Sequence, residues 1–162
     1  MQNEMFGDAP APAVKLKALF SAATDEWPTD QAVFDDLDQM FGPFNLDAAA
    51  TKENAKCSHF FTVEDSALLR PWVTVDGMLA NVWCNPPYSD CDGFVGKAIA
   101  ERERGVSTTM LLPSRTDTSW FHQLLELVAR EEATIYFVRG RLKFGGAKTG
   151  APFPSIVVVL NG

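Results

Sequence analysis

Two consecutive prolines, Pro86 and Pro87, close the β-rich run Asn81-Val-Trp-Cys84 and constrain this chain more than any other feature. Proline offers no N–H to a ladder, so a strand that runs into two of them stops there, in a stiffened turn. Around this fixed point the pattern alternates. Phe44-Asn-Leu-Asp47 reads as a short strand entering a tight turn of small residues, Ala48, Ala49 and Ala50. Residues 94–104 read as helix, 108–112 as a buried strand ended by Pro113, and Thr118 as the cap of a helix reaching about Glu131. Residues 134–138 and 155–160 are further β-rich runs. Strand, helix, strand, helix, strand predicts an α/β fold with a mixed, mostly parallel sheet.

The last two runs are joined by residues 139–154, which have no regular period and leave too little chain for a helical crossover. They are expected to form an antiparallel C-terminal hairpin. Upstream, Val33, Phe34, Leu37, Met40 and Phe41 recur at helical spacing, and Gly42 with Pro43 stops that helix. Residues 1–24 lack a sustained period and are read as a flexible or peripheral arm, leaving 25–162 as one domain.

Charge is unevenly spread. Fourteen Lys and Arg against twenty-one Asp and Glu give a net charge of -7, which argues against a surface that is basic all over. Six of the carboxylates fall between Asp25 and Asp38, without a Lys or Arg among them. The loop before the last strand has the opposite bias: Arg139, Arg141, Lys143 and Lys148 stand there with no acid. Three cysteines make no disulfide framework, no secretory leader is apparent, and the longest apolar run, residues 156–160, is far too short to span a membrane. The expected setting is cytoplasmic. Cys57-Ser-His59 has too few partners for a structural zinc site, and no metal is expected.

Asn85-Pro86-Pro87-Tyr88 stands at a predicted strand end, where open α/β sheets bind their ligands. A planar NH2 group conjugated to a ring or carbonyl is a poor nucleophile because its lone pair is delocalised. Two acceptors beside it, the Asn85 side-chain oxygen and the Pro86 carbonyl, would hold its hydrogens and aim a pyramidal lone pair outward. Tyr88 offers a flat face for stacking, worth roughly 1–3 kcal/mol for a nucleobase. The electrophile that suits this arrangement is a sulfonium methyl, with orientation supplying most of the rate. The bare alternative is a turn after a strand, since Asn and Pro favour turns.

These residues resemble the phage-type DNA N6-adenine methyltransferases, the small Dam-like enzymes of phages and prophages. Matching stretches include Asp25-Glu-Trp27, Phe44-Asn-Leu-Asp-Ala-Ala49, Asn54-Ala-Lys-Cys57, Phe61-Thr-Val-Glu-Asp65 and Val82-Trp-Cys-Asn-Pro-Pro-Tyr88. They continue with Leu111-Leu-Pro-Ser-Arg-Thr-Asp117, Trp120-Phe-His122, Arg139-Gly-Arg-Leu-Lys-Phe144 and Ala151-Pro-Phe-Pro-Ser155. The resemblance implies an abbreviated Rossmann-like fold, S-adenosylmethionine as donor with S-adenosylhomocysteine as product, and N6 of adenine in double-stranded DNA as acceptor. The adenine would be flipped out of the duplex, and Asn85, Pro86, Pro87 and Tyr88 would form the catalytic signature. The chain departs from the family's usual Trp-x-Thr-Pro, having Trp27-Pro28-Thr29-Asp30, and, like the family, has alanines where most methyltransferases carry a glycine-rich first turn.

By the same resemblance Asp47, with Ala48 beside it, would receive the donor's ammonium group, and Asp65 its ribose hydroxyls or adenine amino group. Trp27 and Thr29 would close over the donor. Arg115 and Asp117 would contact the flipped nucleotide or its phosphate, and Arg139, Arg141 and Lys143 would hold DNA phosphates. Structural roles stay open for several of these: caps for Asp47, Asp65 and Asp117, core packing for Trp27, and a solvated hairpin for the basic loop. The alternative acceptor is a protein glutamine amide or an RNA base amino group, which the same signature suits. The location implied is a bacterial host cell, as monomer or homodimer. The short chain leaves sequence recognition to loops or to a partner.

Overall fold

The computed structural model describes residues 27–162, so the arm expected over 1–24 lies outside it. The first element among the described residues is helix α1, Gln31–Phe41, capped by Asp30, whose carboxylate accepts from the Ala32 N–H at 3.1 Å. Its apolar side is the spacing read from the sequence, with Phe34 and Leu37 buried. Strand β1, Leu46–Asp47, is followed by β2, Asn81–Cys84, helix α2, Cys91–Arg102, and β3, Ser107–Pro113. Helix α3, Ser119–Ala129, leads to β4, Ala133–Phe137, and β5, Ser155–Leu160.

The five strands lie in the order β1-β2-β3-β5-β4. The first three are parallel, with Asp47 beside Trp83 and Cys84 beside Met110. Strand β5 runs antiparallel to both its neighbours, Leu112 pairing with Ile156 and Phe137 with the same Ile156. The antiparallel hairpin read from the loop is therefore present, and its second strand is inserted between β3 and β4. Pro113, expected to end β3, is instead its last residue and pairs with Ser155. It fits because β2 has already ended opposite Met110, leaving the ladder one-sided at that level.

Two cores flank the sheet. On one face Val82, Met110, Leu112 and Val158 pack with Phe94, Val95, Trp120 and Leu124 of α2 and α3. On the other, Trp83, Leu111 and Val157 meet Phe34 and Leu37 of α1, together with Phe144 and Ala151 of the loop before β5. Burying a side chain such as Leu111 is worth roughly 2 kcal/mol, and the alternation of faces along β2 and β3 brings such residues to both layers. Among the described residues no helix is long and apolar enough to cross a membrane. The register puts the ends of β1, β2, β3 and β4 and the start of β5 at one edge of the sheet. The segments that follow Asp47, Cys84 and Pro113, and the loop 138–154, thus share one end of the molecule.

Candidate active site

That end opens into a cleft of about 450 Å³, a volume suited to a small ligand. Its walls combine apolar groups, among them Trp83, Phe61 and Leu68, with Asp47, Asn54 and Asn85. Asp47 is buried, and its carboxylate accepts from two backbone N–H groups, Ala49 at 3.2 Å and Lys56 at 2.9 Å. Burial pushes its pKa from 3.8 up to about 6, against the opposing pull of those two N–H groups and of the Lys56 charge. The turn after it is drawn tight by Ala48 N–H donating to the Trp83 carbonyl and Ala50 N–H to the Phe61 carbonyl. None of the three alanines has positive φ, so the turn is built without the conformation that a glycine would supply.

Asn85 leaves β2 directly into the cleft. Its Nδ2 donates to the Trp27 carbonyl at 2.6 Å and to Thr29 Oγ1 at 3.0 Å, while its Oδ1 is buried and, among the described residues, accepts from nothing. Pro86 and Pro87 also line the cleft. The chain then makes a 3₁₀ turn over Tyr88–Asp90, and Asp90 caps α2 by accepting from Gly93 N–H at 3.2 Å. A Cβ at Gly93 would stand 2.6 Å from that carboxylate oxygen, so glycine is what admits the cap.

Tyr88 departs from the sequence expectation of an open stacking face. It is 3% exposed, its ring lies edge-on to Phe153 at 5.3 Å and Phe144 at 6.4 Å, and it is absent from the cleft lining. Its hydroxyl is buried without a partner among the described residues, and burial holds the phenol far above its usual pKa. The two phenylalanines belong to the loop 138–154, which is otherwise largely exposed, and Trp27 packs against both, at 5.7 and 4.9 Å. The Gly145 N–H donates to the Pro28 carbonyl at 2.8 Å, tying loop and Trp27-Pro28-Thr29 together.

The other expected residues are distributed as follows. Thr29 is buried and, with Trp27, lines the cleft, as does Ala48. Asp65 does not line it: its Oδ2 accepts from the Thr62 N–H and hydroxyl, which are ordinary capping bonds, and Oδ1 is 3.9 Å from Arg70. These bonds to Thr62 hold the Asp65 carboxyl below its usual range. Arg115 reaches back to donate from Nη1 to the Tyr88 carbonyl at 2.8 Å. Asp117 is exposed, and Thr118 rather than Asp117 caps α3. Arg139, Arg141 and Lys143 are exposed on the loop and, among the described residues, form no ion pairs. Sequence patterns assign no role to Phe144, Phe153, Lys56 or Asp90; the helix read from residue 94 begins at Cys91, which puts Asp90 at its cap.

A family model described as DNA N-6-adenine-methyltransferase (Dam) matches residues 17–157. The chain is 36% identical over 140 residues to the DNA N-6-adenine-methyltransferase of Escherichia phage T1, a match covering 80% of this chain and 57% of the phage protein. It is 32% identical over 128 residues to the DNA N-6-adenine-methyltransferase of Haemophilus phage HP1, covering 78% of this chain and 69% of that one.

Proposed function

We propose, for a chain that belongs to the DNA N-6-adenine-methyltransferase (Dam) family, that the cleft transfers a methyl group from S-adenosylmethionine to N6 of an adenine flipped out of double-stranded DNA. The observation that carries this is Asn85: its amide is anchored through nitrogen, and its oxygen is a buried acceptor at the end of β2 without a partner among the described residues. Buried polar groups are nearly always paired, so an unpaired acceptor at a cleft supports a ligand as its partner. Asn85 Oδ1 and the Pro86 carbonyl accept the two amino hydrogens of the target and leave its lone pair facing the cleft.

The residues on the other side suit the donor. Asp47 is a buried carboxylate whose ionisation is opposed by its surroundings, and an ammonium group is the ligand that relieves this. Phe61, Trp83 and Leu68 give apolar walls for a purine. When bound, S-adenosylmethionine supplies an electrophilic methyl on a sulfonium. Asp65 shapes the 62–66 turn, part of which lines the cleft, rather than reaching the ribose itself.

A flipped base reaches Tyr88 only when Phe144 and Phe153 leave its ring, so the base enters where the loop 138–154 now packs. Arg139, Arg141 and Lys143 on that loop hold phosphates, and Arg115 steadies the Tyr88 backbone. The sheet is read as an abbreviated Rossmann-like methyltransferase core, supported by a cleft at the carboxyl ends of parallel strands. Residues 25–162 form one catalytic unit, and the phage origin of the relatives supports action on DNA in the bacterial cytoplasm.

The test is transfer of a tritiated methyl group to unmethylated plasmid, to RNA and to a glutamine-bearing protein acceptor in parallel. Label in plasmid adenine, abolished in Asn85→Ala while S-adenosylhomocysteine affinity stays within several-fold, is the expected result. Label confined to protein or RNA overturns the DNA reading.

A further inference from the structure

We infer that Trp27-Pro28-Thr29 is a positioning bracket that fixes which arm of the Asn85 amide faces the acceptor, and that Thr29 is its adjustable member. The inference rests on the proposed amino-group methylation and deepens it. Asn85 has two chemically opposite arms of nearly the same shape, and the reaction proposed uses only the oxygen. Rotation by half a turn about the last side-chain bond would present NH2 to NH2 and abolish the site.

The bracket decides between the two orientations. A main-chain carbonyl can only accept, so the arm 2.6 Å from the Trp27 oxygen has to be the NH2 group. Thr29 Oγ1 accepts the second hydrogen at 3.0 Å. With both hydrogens taken, the oxygen is the arm left unpaired. Flipping the amide would place oxygen against oxygen at 2.6 Å and forfeit the bond to the Trp27 carbonyl, and the Thr29 hydroxyl, which can donate as well as accept, would have to reverse its role.

The bracket is itself held. Thr29 is buried, Trp27 is wedged edge-on against Phe144 and Phe153, and the Pro28 carbonyl accepts from Gly145 N–H at 2.8 Å. Gly145 has φ +56, and a Cβ there would meet Pro28 Cγ at 3.1 Å, so the loop comes this close because the residue is glycine. A second consequence is a demand for asparagine. Aspartate at position 85 would set a carboxylate oxygen against the Trp27 carbonyl, with no hydrogen between them.

The experiment uses the full chain with Thr29→Val, which keeps the shape and removes the acceptor, and Thr29→Ser, which keeps the hydroxyl. The first readout needs no turnover: the Asn85 side-chain NH2 is assigned by its disappearance in Asn85→Ala, and exchange of its two protons with solvent is measured by NMR. Both protons are protected in wild type and Thr29→Ser, and one loses at least tenfold protection in Thr29→Val. The second readout is kinetic: Thr29→Val lowers kcat for DNA methylation about tenfold with the donor KM within twofold, and Thr29→Ser restores most of the rate. Asn85→Asp loses activity more than a hundredfold.

Unchanged protection in Thr29→Val overturns the bracket, and so does a raised donor KM at constant kcat, which would make Thr29 a donor contact. Wild-type protein that methylates no DNA yet shows Thr29-dependent protection sinks the proposed reaction while the bracket stands.

Discussion

Asp47 offers a sharp quantitative test of the donor side of the cleft. Its pKa of about 6, against an ordinary 3.8, is a shift of about two units, so ionising it inside the protein costs about 3 kcal/mol more than in water. The sign follows directly. Because the folded pKa is raised, stability from this group is greatest below pH 4 and declines as pH rises to 6, after which it is constant. The ligand's ammonium has the opposite preference and binds the ionised form.

The affinity for S-adenosylhomocysteine, which carries the same amino-acid end as the donor, should therefore be flat above pH 7 and weaken as pH falls through 6. By pH 5 the loss is about tenfold, because only about one carboxylate in eleven is then ionised. The neighbouring thiols of Cys57 and Cys84 are pushed upward by burial and stay neutral across this range, and the Asp47→Asn variant separates the Asp47 titration from that of any other group. Calorimetric titration at half-unit steps from pH 5 to 7.5 measures it, with 5′-methylthioadenosine, which lacks the amino-acid end, as the control that should show no such loss. Asp47→Asn should bind weakly and flatly. A wild-type profile without a bend near pH 6, or an Asp47→Asn profile that keeps one, would refute the reasoning.

Replacing Arg139, Arg141 and Lys143 by Gln should weaken DNA binding and flatten the dependence of log affinity on log salt by about 0.9 for each phosphate no longer neutralised, measured by fluorescence anisotropy. An unchanged slope would show that the loop does not touch the DNA backbone. Tyr88→Phe removes a buried hydroxyl that has no partner, so its denaturant midpoint should equal or exceed that of wild type, and a loss above about 1 kcal/mol would contradict the packing described. Glu101 is buried between Lys97 at 2.6 Å and Arg104 at 3.0 Å, and Glu101→Ala should cost about 3 kcal/mol in urea unfolding by leaving the shielded Lys97 charge unpaired.

Local chemistry makes much of this molecule readable in advance. The prolines after Cys84, the cap at Thr118 and the unbroken apolar run of β5 each act over a few residues, and each element falls where they point. Asp65 is legible too: Thr62 three residues ahead of it is the spacing of a capping box, which competes directly with a ligand role. Tyr88 is not, because its burial depends on Phe144 and Phe153, held in a loop without period far along the chain. The same holds for Asn85. Its partners are a main-chain carbonyl and a hydroxyl from before α1, and no pattern of residue types announces a bond to a carbonyl.

The place of β5 has a consequence for how the protein comes into being. It lies between β3 and β4, and the ladder that joins β4 to the rest of the sheet runs entirely through it. Until residues 155–160 have left the ribosome, β3 lacks one neighbour, β4 has no sheet to join, and Phe144 and Phe153 have no anchored strand behind them. Assembly must wait for these distant pairings, which carry the full entropic cost of closing long loops. The union of β4 with the parallel strands is thereby tied to one late segment, and a change that weakens β5 loosens both of its neighbours at once.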